Sequence, residues 1–187
     1  MLVGVFALIS FPNQLVMVHL INYATDIGIA AFVAATFVST LGIAKAIGAL
    51  VLGGLSDRIG SSNVLMFSVL GMVAGLIWLL FAREAWMFYL FAIWYGFFMG
   101  GMGPMIGTQI HLFFGSQAMA TLTGVLVFSL LIGGSTGVWA GGRMFDATGS
   151  YQQAFGLGIL MCFVAFGLAL GLRRLADRRT AHDPGNS

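Results

Sequence analysis

Lys45 is the side chain with the clearest capacity for chemistry in this sequence of 187 residues. It lies inside an apolar stretch and precedes Asp57 by 12 residues, which is about 18 Å along an α-helix. A lysine side chain cannot bring its ammonium group to water over that distance, and no acid is predicted at the same depth. Such a cation could bind a carboxylate or carry a proton. The alternative is a structural role, in which the ammonium group contacts backbone carbonyls or a separate chain.

Four other polar side chains interrupt apolar stretches. Asn13 and Gln14 follow Pro12, which removes a helix hydrogen bond and frees a carbonyl, so this polar kink could contact a ligand. Hydrogen bonding between helices is an equal alternative. His19 could carry a proton near neutral pH or form a hydrogen bond at a gate. Tyr95 could reach a cavity or pack between helices.

Two acid–base pairs lie in glycine-rich segments that resemble each other. The pattern recurs at an offset of 89 residues, as Gly53-x-x-x-Asp57-x-x-Gly60-Ser61 and Gly142-x-x-x-Asp146-x-x-Gly149-Ser150. An acid at a helix end can meet a neighbouring helix N-terminus or a cation. We therefore expect Asp57 with Arg58, and Arg143 with Asp146, to form a conformational latch. Solvated helix caps are the alternative.

The sequence lacks the usual patterns of zinc hydrolases and nucleotide-binding enzymes. It contains no His-Glu-x-x-His or phosphate-loop motif, and its three histidines are scattered. The single cysteine, Cys162, excludes an internal disulfide and a multi-cysteine metal site. We expect neither an enzyme nor a bound metal or cofactor.

The composition indicates a protein that lies in a lipid bilayer and has no nucleic-acid partner. Hydrophobic residues make up 59% of the chain and the mean hydropathy is +0.99. Charged residues make up only 7%, against about 25% in soluble domains. Six stretches are long enough to span a bilayer and do not alternate as strands do, which predicts an all-α membrane domain over residues 1–172. The predicted spans are Met1–Ala24, Ile29–Leu55, Val64–Ala82, Trp86–Thr108, Ala118–Gly141 and Ala154–Leu172.

Arginine placement predicts the orientation of these spans. Five arginines lie on the side that carries both termini, including the frayed polar tail at residues 173–187, and Arg83 and Arg143 lie on the other side. We therefore expect a multi-pass plasma-membrane protein (the inner membrane in bacteria) with both termini in the cytoplasm.

The polarity of the spans repeats. Spans 1, 2, 4 and 5 carry polar side chains and are expected to face a cavity or a partner, whereas spans 3 and 6 are expected to face lipid. Together with the repeated turn, this predicts two three-helix units of inverted topology, which is typical of transporters with a site near the midplane.

The turn from Gly53 to Gly60 resembles the loop motif of the major facilitator superfamily. Three further segments narrow the resemblance to monocarboxylate and oxalate–formate carriers. His19–Ile29 is similar to the first external turn of the C-terminal half of these carriers, and Gly141–Tyr151 is similar to the last external turn. Phe114-Gly115, which follows Pro104, is similar to their turn between the fourth and fifth helices. The resemblance implies half of a twelve-helix fold. This chain departs from the family at Ser61–Asn63, where basic residues are usual, and at Ala49, where arginine is frequent.

The resemblance implies secondary transport of a small organic anion by alternating access, driven by protons or a counter-anion. Lys45, Asn13, Gln14, His19 and Tyr95 are the candidate substrate contacts. Half a carrier should need a second half, either another polypeptide, a missing N-terminal portion or a second copy. Because the first span begins at Met1, we expect a piece of a longer carrier. The rival interpretation is a non-transporting membrane module, such as a partner subunit, a scaffold or a degenerate fragment.

Overall fold

The computed structural model describes residues 1–114 and 119–182, and the side chains of residues 1–111 and 119–171. Every regular element in these ranges is an α-helix, which confirms the all-α prediction. The helices are α1 (Leu2–Asp26), α2 (Ala31–Ile59), α3 (Ser61–Phe81), α4 (Ala85–Gly100), α5 (Met102–Phe114), α6 (Met119–Thr148) and α7 (Gln152–His182).

These helices make six apolar spans, because α4 and α5 act together as one span over Ala85–His111. The break between them falls at Gly101, in a turn. Pro104 lacks the N–H that would bond to the Gly100 carbonyl, so a continuous helix is interrupted here.

The apolar part of α7 ends at Gly171, but the helix continues into the polar tail as far as His182. Residues 183–187 of that tail lie outside the described residues.

The two ends of the bundle are distinguished by the repeated turns. The Asp57 end holds the turn between α2 and α3, and the Asp146 end holds the turn between α6 and α7. Gly60 and Gly149 occupy equivalent places in these turns and have φ values of 87° and 66°. Because other residues rarely adopt this left-handed conformation, both turns require glycine.

The bundle is built on two equivalent helix crossings. α1 packs most extensively on α6, and α2 packs most extensively on α4. At the first crossing, a Cβ added to Gly133 would collide with the backbone of Ala7, and at the second, a Cβ added to Gly96 would collide with the backbone of Leu41 and touch Ala44. The offset of 89 residues relates Ala7 to Gly96 and Ala44 to Gly133. The internal repeat therefore extends from the turns to the packing of the helices.

Small residues set both crossings, as is common for helices in lipid. Gly137 lies against the backbone of Phe11, and Gly100 lies against the backbone of α2 near Gly48. The same offset relates Gly48 to Gly137 and Phe11 to Gly100. A side chain at these positions would push the helices apart.

α2 and α6 are flanking helices with broad open faces. Each buries one narrow stripe, and only 28% of the apolar window of either helix is buried, against 61% for α1. The stripes are Ala34, Phe37, Leu41, Ala44, Gly48, Leu52 and Ser56 in α2, and Leu126, Ser129, Gly133, Gly134, Gly137 and Gly141 in α6. α3 packs on α7 and α4, while its exposed stripe is apolar, as a helix in contact with lipid requires. That stripe is Phe67, Leu70, Ile77 and Phe81.

Candidate functional site

Lys45 and Gln14 are the central residues of their helices. Lys45 lies midway along α2, which runs from Ala31 to Ile59, and Gln14 lies midway along α1. At 1.5 Å per residue, Lys45 is ~20 Å from either end of its helix. Both side chains are exposed in this chain. The structure therefore places a cation and an amide at the middle of their spans, on faces that the six-span bundle leaves open.

The internal repeat relates these two polar positions to each other. The offset of 89 residues places Lys45 in α2 at the position of Gly134 in α6, and Gln14 in α1 at the position of Gly103 in α5. Gly134 lies directly against the Gln14 side chain, because a Cβ there would be 2.6 Å from Gln14 Cγ. At the matching place in the other crossing, nothing lies within 4 Å of a Cβ on Gly103. Both crossings thus carry one long polar side chain and one glycine at equivalent positions, but only the crossing of α1 with α6 brings the two into contact.

A cavity of about 340 Å³ opens beside Gln14, between α1 and α6. Its polar side chains are Gln14 and Ser135, and its largest wall is Trp139, which is 70% exposed. Leu131, Gly134 and Val138 complete the lining. An amide, a hydroxyl and an indole offer hydrogen bonds and an apolar surface to a small organic molecule.

Tyr95 and Asn13 contact each other and not the open face. The Tyr95 hydroxyl donates a hydrogen bond of 2.9 Å to Asn13 Oδ1. Tyr95 is fully buried and Asn13 is 9% exposed. This placement matches the alternative given for both residues, in which they connect helices, and it makes a polar brace between α1 and α4.

Replacing Tyr95 by phenylalanine is expected to lower stability, because Asn13 Oδ1 would keep its burial and lose its donor. Such a loss costs about 1–3 kcal/mol. The midpoint of thermal unfolding in detergent measures the effect. Tyr89→Phe is the matched control, since Tyr89 is only partly buried and its partner Thr36 also bonds to the Val33 carbonyl. Equal midpoints for Tyr95→Phe and the wild type would contradict the brace.

His19 connects α1 to α6 near the Asp146 end. Its Nε2 lies 3.0 Å from the Val138 carbonyl oxygen, and the side chain is 7% exposed. Because a carbonyl only accepts, Nε2 is the donor. The Tyr151 ring lies against the imidazole with centroids 5.1 Å apart. His19 is therefore in a closed contact between helices and not in the cavity beside Gln14.

The two charged pairs lie at opposite ends of the bundle. Asp57 and Arg58 are exposed in the last turn of α2, and Arg143 and Asp146 are exposed near the end of α6. These positions leave all four side chains free to meet groups outside the bundle.

The comparison with known proteins decides the family. A family model described as the Major Facilitator Superfamily matches residues 1–186. The chain belongs to the major facilitator superfamily. It is 29% identical over 160 residues to Monocarboxylate transporter 12-B of Danio rerio, an alignment that covers 82% of this chain and 33% of that relative. The chain thus spans about a third of the relative's length. The family model confirms the superfamily inferred from the sequence, and the similarity to a monocarboxylate transporter supports the inferred branch. Together with the six apolar spans, the family indicates a multi-pass membrane protein of transporter type.

One polar contact of this facilitator chain was not foreseen. Gln109 of α5 is 2% exposed, and its Nε2 donates to Ser61 Oγ and Ser62 Oγ at 3.3 and 3.4 Å. The contact holds the second half of the broken span to the start of α3. From the sequence alone, a glutamine near a helix end is expected at the membrane interface. Only the consecutive serines Ser61 and Ser62 indicate a possible hydrogen-bond partner for it.

Among the described residues, no group of three His, Cys, Asp or Glu could hold a metal ion.

Proposed function

We propose that this chain is one half of a secondary carrier that moves a small organic anion of the monocarboxylate kind by alternating access. The observation that carries the proposal is the position of Lys45 at the centre of α2, on an open face. A charge at the middle of a span is costly in lipid and is usually retained for transport or proton transfer.

The charge balance around Lys45 favours an anionic substrate. Asp26, Asp57 and Asp146 lie at or near helix ends, and Glu84 lies between α3 and α4. The other two acids of the sequence follow the last apolar span. The ammonium group therefore has no carboxylate of this chain at its own depth, and a substrate carboxylate can supply that charge. Gln14 and Ser135 add hydrogen-bonding groups in the cavity between α1 and α6.

The open faces of α2 and α6 support the need for a second half. Large apolar side chains are exposed on both helices, among them Ile43, Ile47, Leu50, Phe128 and Ile132. Lys45 lies on the open face of α2, and the cavity beside Gln14 opens between α1 and α6, so a second six-helix half that covers both faces would enclose them. A second copy of this chain is the other candidate partner.

Orientation and energy coupling follow the arginine distribution and the family. The Asp57 end faces the cytoplasm, the membrane is the plasma membrane, and protons or a counter-anion drive transport. The chain has no enzymatic role in this scheme. Asn13, Tyr95 and His19 act by holding helices, and Lys45 and Gln14 contact the substrate.

The charged pair Asp57–Arg58 is proposed to form contacts with the second half in one access state only. Asp57→Asn is then expected to slow uptake by at least about 5-fold, with little change in the half-saturation concentration, because it alters the conformational equilibrium and not the binding face. Glu84→Gln is the control, since it removes an exposed acid from the opposite end of the bundle. The same slowing in Glu84→Gln would contradict the latch.

Uptake into proteoliposomes tests the function. This chain, reconstituted with a six-helix partner half, should accumulate radiolabelled lactate, pyruvate or oxalate when an inward proton gradient or an internal counter-anion is present. Glucose, which carries no charge, should not enter. Absence of uptake for all these anions would favour the non-transporting module.

A further inference from the structure

We propose that His19 is a proton-binding site that controls the contact between α1 and α6 at the Asp146 end of the bundle. Its use in transport rests on the proposed function, but the site itself is complete within this chain. The imidazole is buried by α1, α6 and the start of α7, and none of that burial needs a second half.

Close packing holds the imidazole in one place. A Cβ on Gly141 would lie 2.8 and 2.9 Å from His19 Cδ2 and Nε2, so the glycine lets α6 reach the ring. Tyr151 covers the ring and is itself stacked on Phe145, with centroids 4.5 Å apart. His19 of α1 is therefore enclosed by residues of α6 and of the start of α7. These contacts with the imidazole must break if α1 moves away from α6.

Only the neutral ring fits this arrangement. Nε2–H donates to the Val138 carbonyl, and Nδ1 is buried with no hydrogen-bond partner among the described residues. A neutral ring leaves one lone pair unbonded there. A second proton would place an N–H donor and a positive charge at Nδ1 with no acceptor, which a buried site disfavours. Binding of a proton therefore favours a conformation in which Nδ1 reaches water or a carboxylate.

Charged or titratable groups lie on each of the elements around the site. On α1 these are Tyr23 and Asp26, and on α6 they are Arg143 and Asp146. Arg143 is two residues from Gly141, which places it on the other side of α6 from the imidazole. Before α7 the group is Tyr151: burial raises its pKa, the Asn22 amide opposes this shift, and the carboxylates of Asp26 and Asp146 raise the pKa further.

Because both carboxylates act on Tyr151 and Tyr151 touches the imidazole, Asp26 and Asp146 are the candidate acceptors for the protonated ring once it leaves Val138. Loss of the bond from His19 to Val138 removes a direct tie between α1 and α6. In the proposed orientation this end faces outward, so a proton arriving from outside would open the side from which the anion enters. In this scheme, His19 is the residue that couples proton binding to the opening of the outward side.

Distance measurement between two spin labels tests the inference without transport. The labels replace Ala30, which is exposed in the connection from α1 to α2, and Ala147, which is exposed near the end of α6, in a chain whose buried Cys162 is changed to alanine. In bilayers, a longer distance is expected to gain population as the pH falls from 8 to 5. His19→Gln keeps an N–H donor for Val138 but binds no proton, so its distances should not change with pH.

His111→Gln is the matched control, because His111 is exposed on α5 and should leave the pH response intact. A wild type with no response to pH, or a response that survives in His19→Gln, would overturn the proposal. If His19→Gln does not fold, nuclear magnetic resonance of ¹⁵N-histidine in the His111→Gln chain decides. At pH 8, one imidazole ring must carry a proton at Nε2 alone. This ring must gain its Nδ1 proton over the same pH interval in which the distance between the spin labels changes. A ring signal that does not change over that pH interval would contradict the site.

Discussion

Lys45→Ala is expected to lower anion uptake by ~100-fold, the largest effect of any single change in this chain. A substrate carboxylate that is held by a desolvated ammonium group loses about 2–5 kcal/mol when that partner is removed. About 2.8 kcal/mol, a value within this range, corresponds to ~100-fold at 1.4 kcal/mol per tenfold. Initial rates of uptake into proteoliposomes, with wild-type and variant chains paired with the same second half, measure the loss.

Two further variants separate charge from general damage to α2. Lys45→Arg keeps the positive charge and should retain a substantial part of the uptake, although its planar fork has a different geometry. Ile47→Leu alters α2 two residues from Lys45 but keeps an apolar side chain of the same size for the second half, so uptake should remain almost unchanged. Equal uptake by Lys45→Ala and the wild type would remove Lys45 from the substrate site.

Gly137→Ala is expected to destabilise the bundle, because the added methyl group would collide with the backbone of Phe11 in α1. Overpacking typically costs about 1–3 kcal/mol, and a backbone neighbour cannot rotate out of the way. The midpoint of thermal unfolding should fall by roughly 3–10 °C for a chain of this size. Gly48→Ala, at the equivalent position of the second crossing, should have a similar effect.

Gly42→Ala is the control for this prediction. Gly42 lies on the exposed side of α2, and nothing lies within 4 Å of its Cβ position. There the change should be neutral or slightly stabilising, because alanine favours a helix by about 1 kcal/mol over glycine. If Gly137→Ala were as stable as Gly42→Ala, the close crossing of α1 and α6 would be wrong.

Much of the fold could be predicted from the sequence because the bilayer imposes simple rules on length and polarity. Six apolar stretches had to become helices, and the repeated turn revealed the relation between the two halves of the chain. The break at Gly101 was not predicted, although Pro104 and the three glycines before it, Gly100, Gly101 and Gly103, carry the signal. The helical extension of α7 to His182 was also missed, since polarity marks the end of a span and not the end of a helix.

The candidate site was harder to predict, because a polar residue in a span does not reveal which way it faces. Gln14 and Asn13 are neighbours in sequence, yet one faces the open side and the other meets Tyr95. The rotation of α1 that separates them is set by the close approach of α6 at Gly133 and Gly137. Such rotations depend on contacts between distant residues and cannot be read from a single helix.

The most direct test of the central claim uses the fact that Lys45 is the single lysine of the chain. Growth with ¹⁵N-lysine labels one ammonium group in this half, while the second half is made without label. Solid-state nuclear magnetic resonance in bilayers then measures the distance from Lys45 Nζ to the carboxyl carbon of ¹³C-lactate. Binding at Lys45 predicts a dipolar coupling that corresponds to about 4 Å, the separation of an ion pair. Absence of any coupling at saturating lactate, in a preparation that takes up lactate, would contradict the claim.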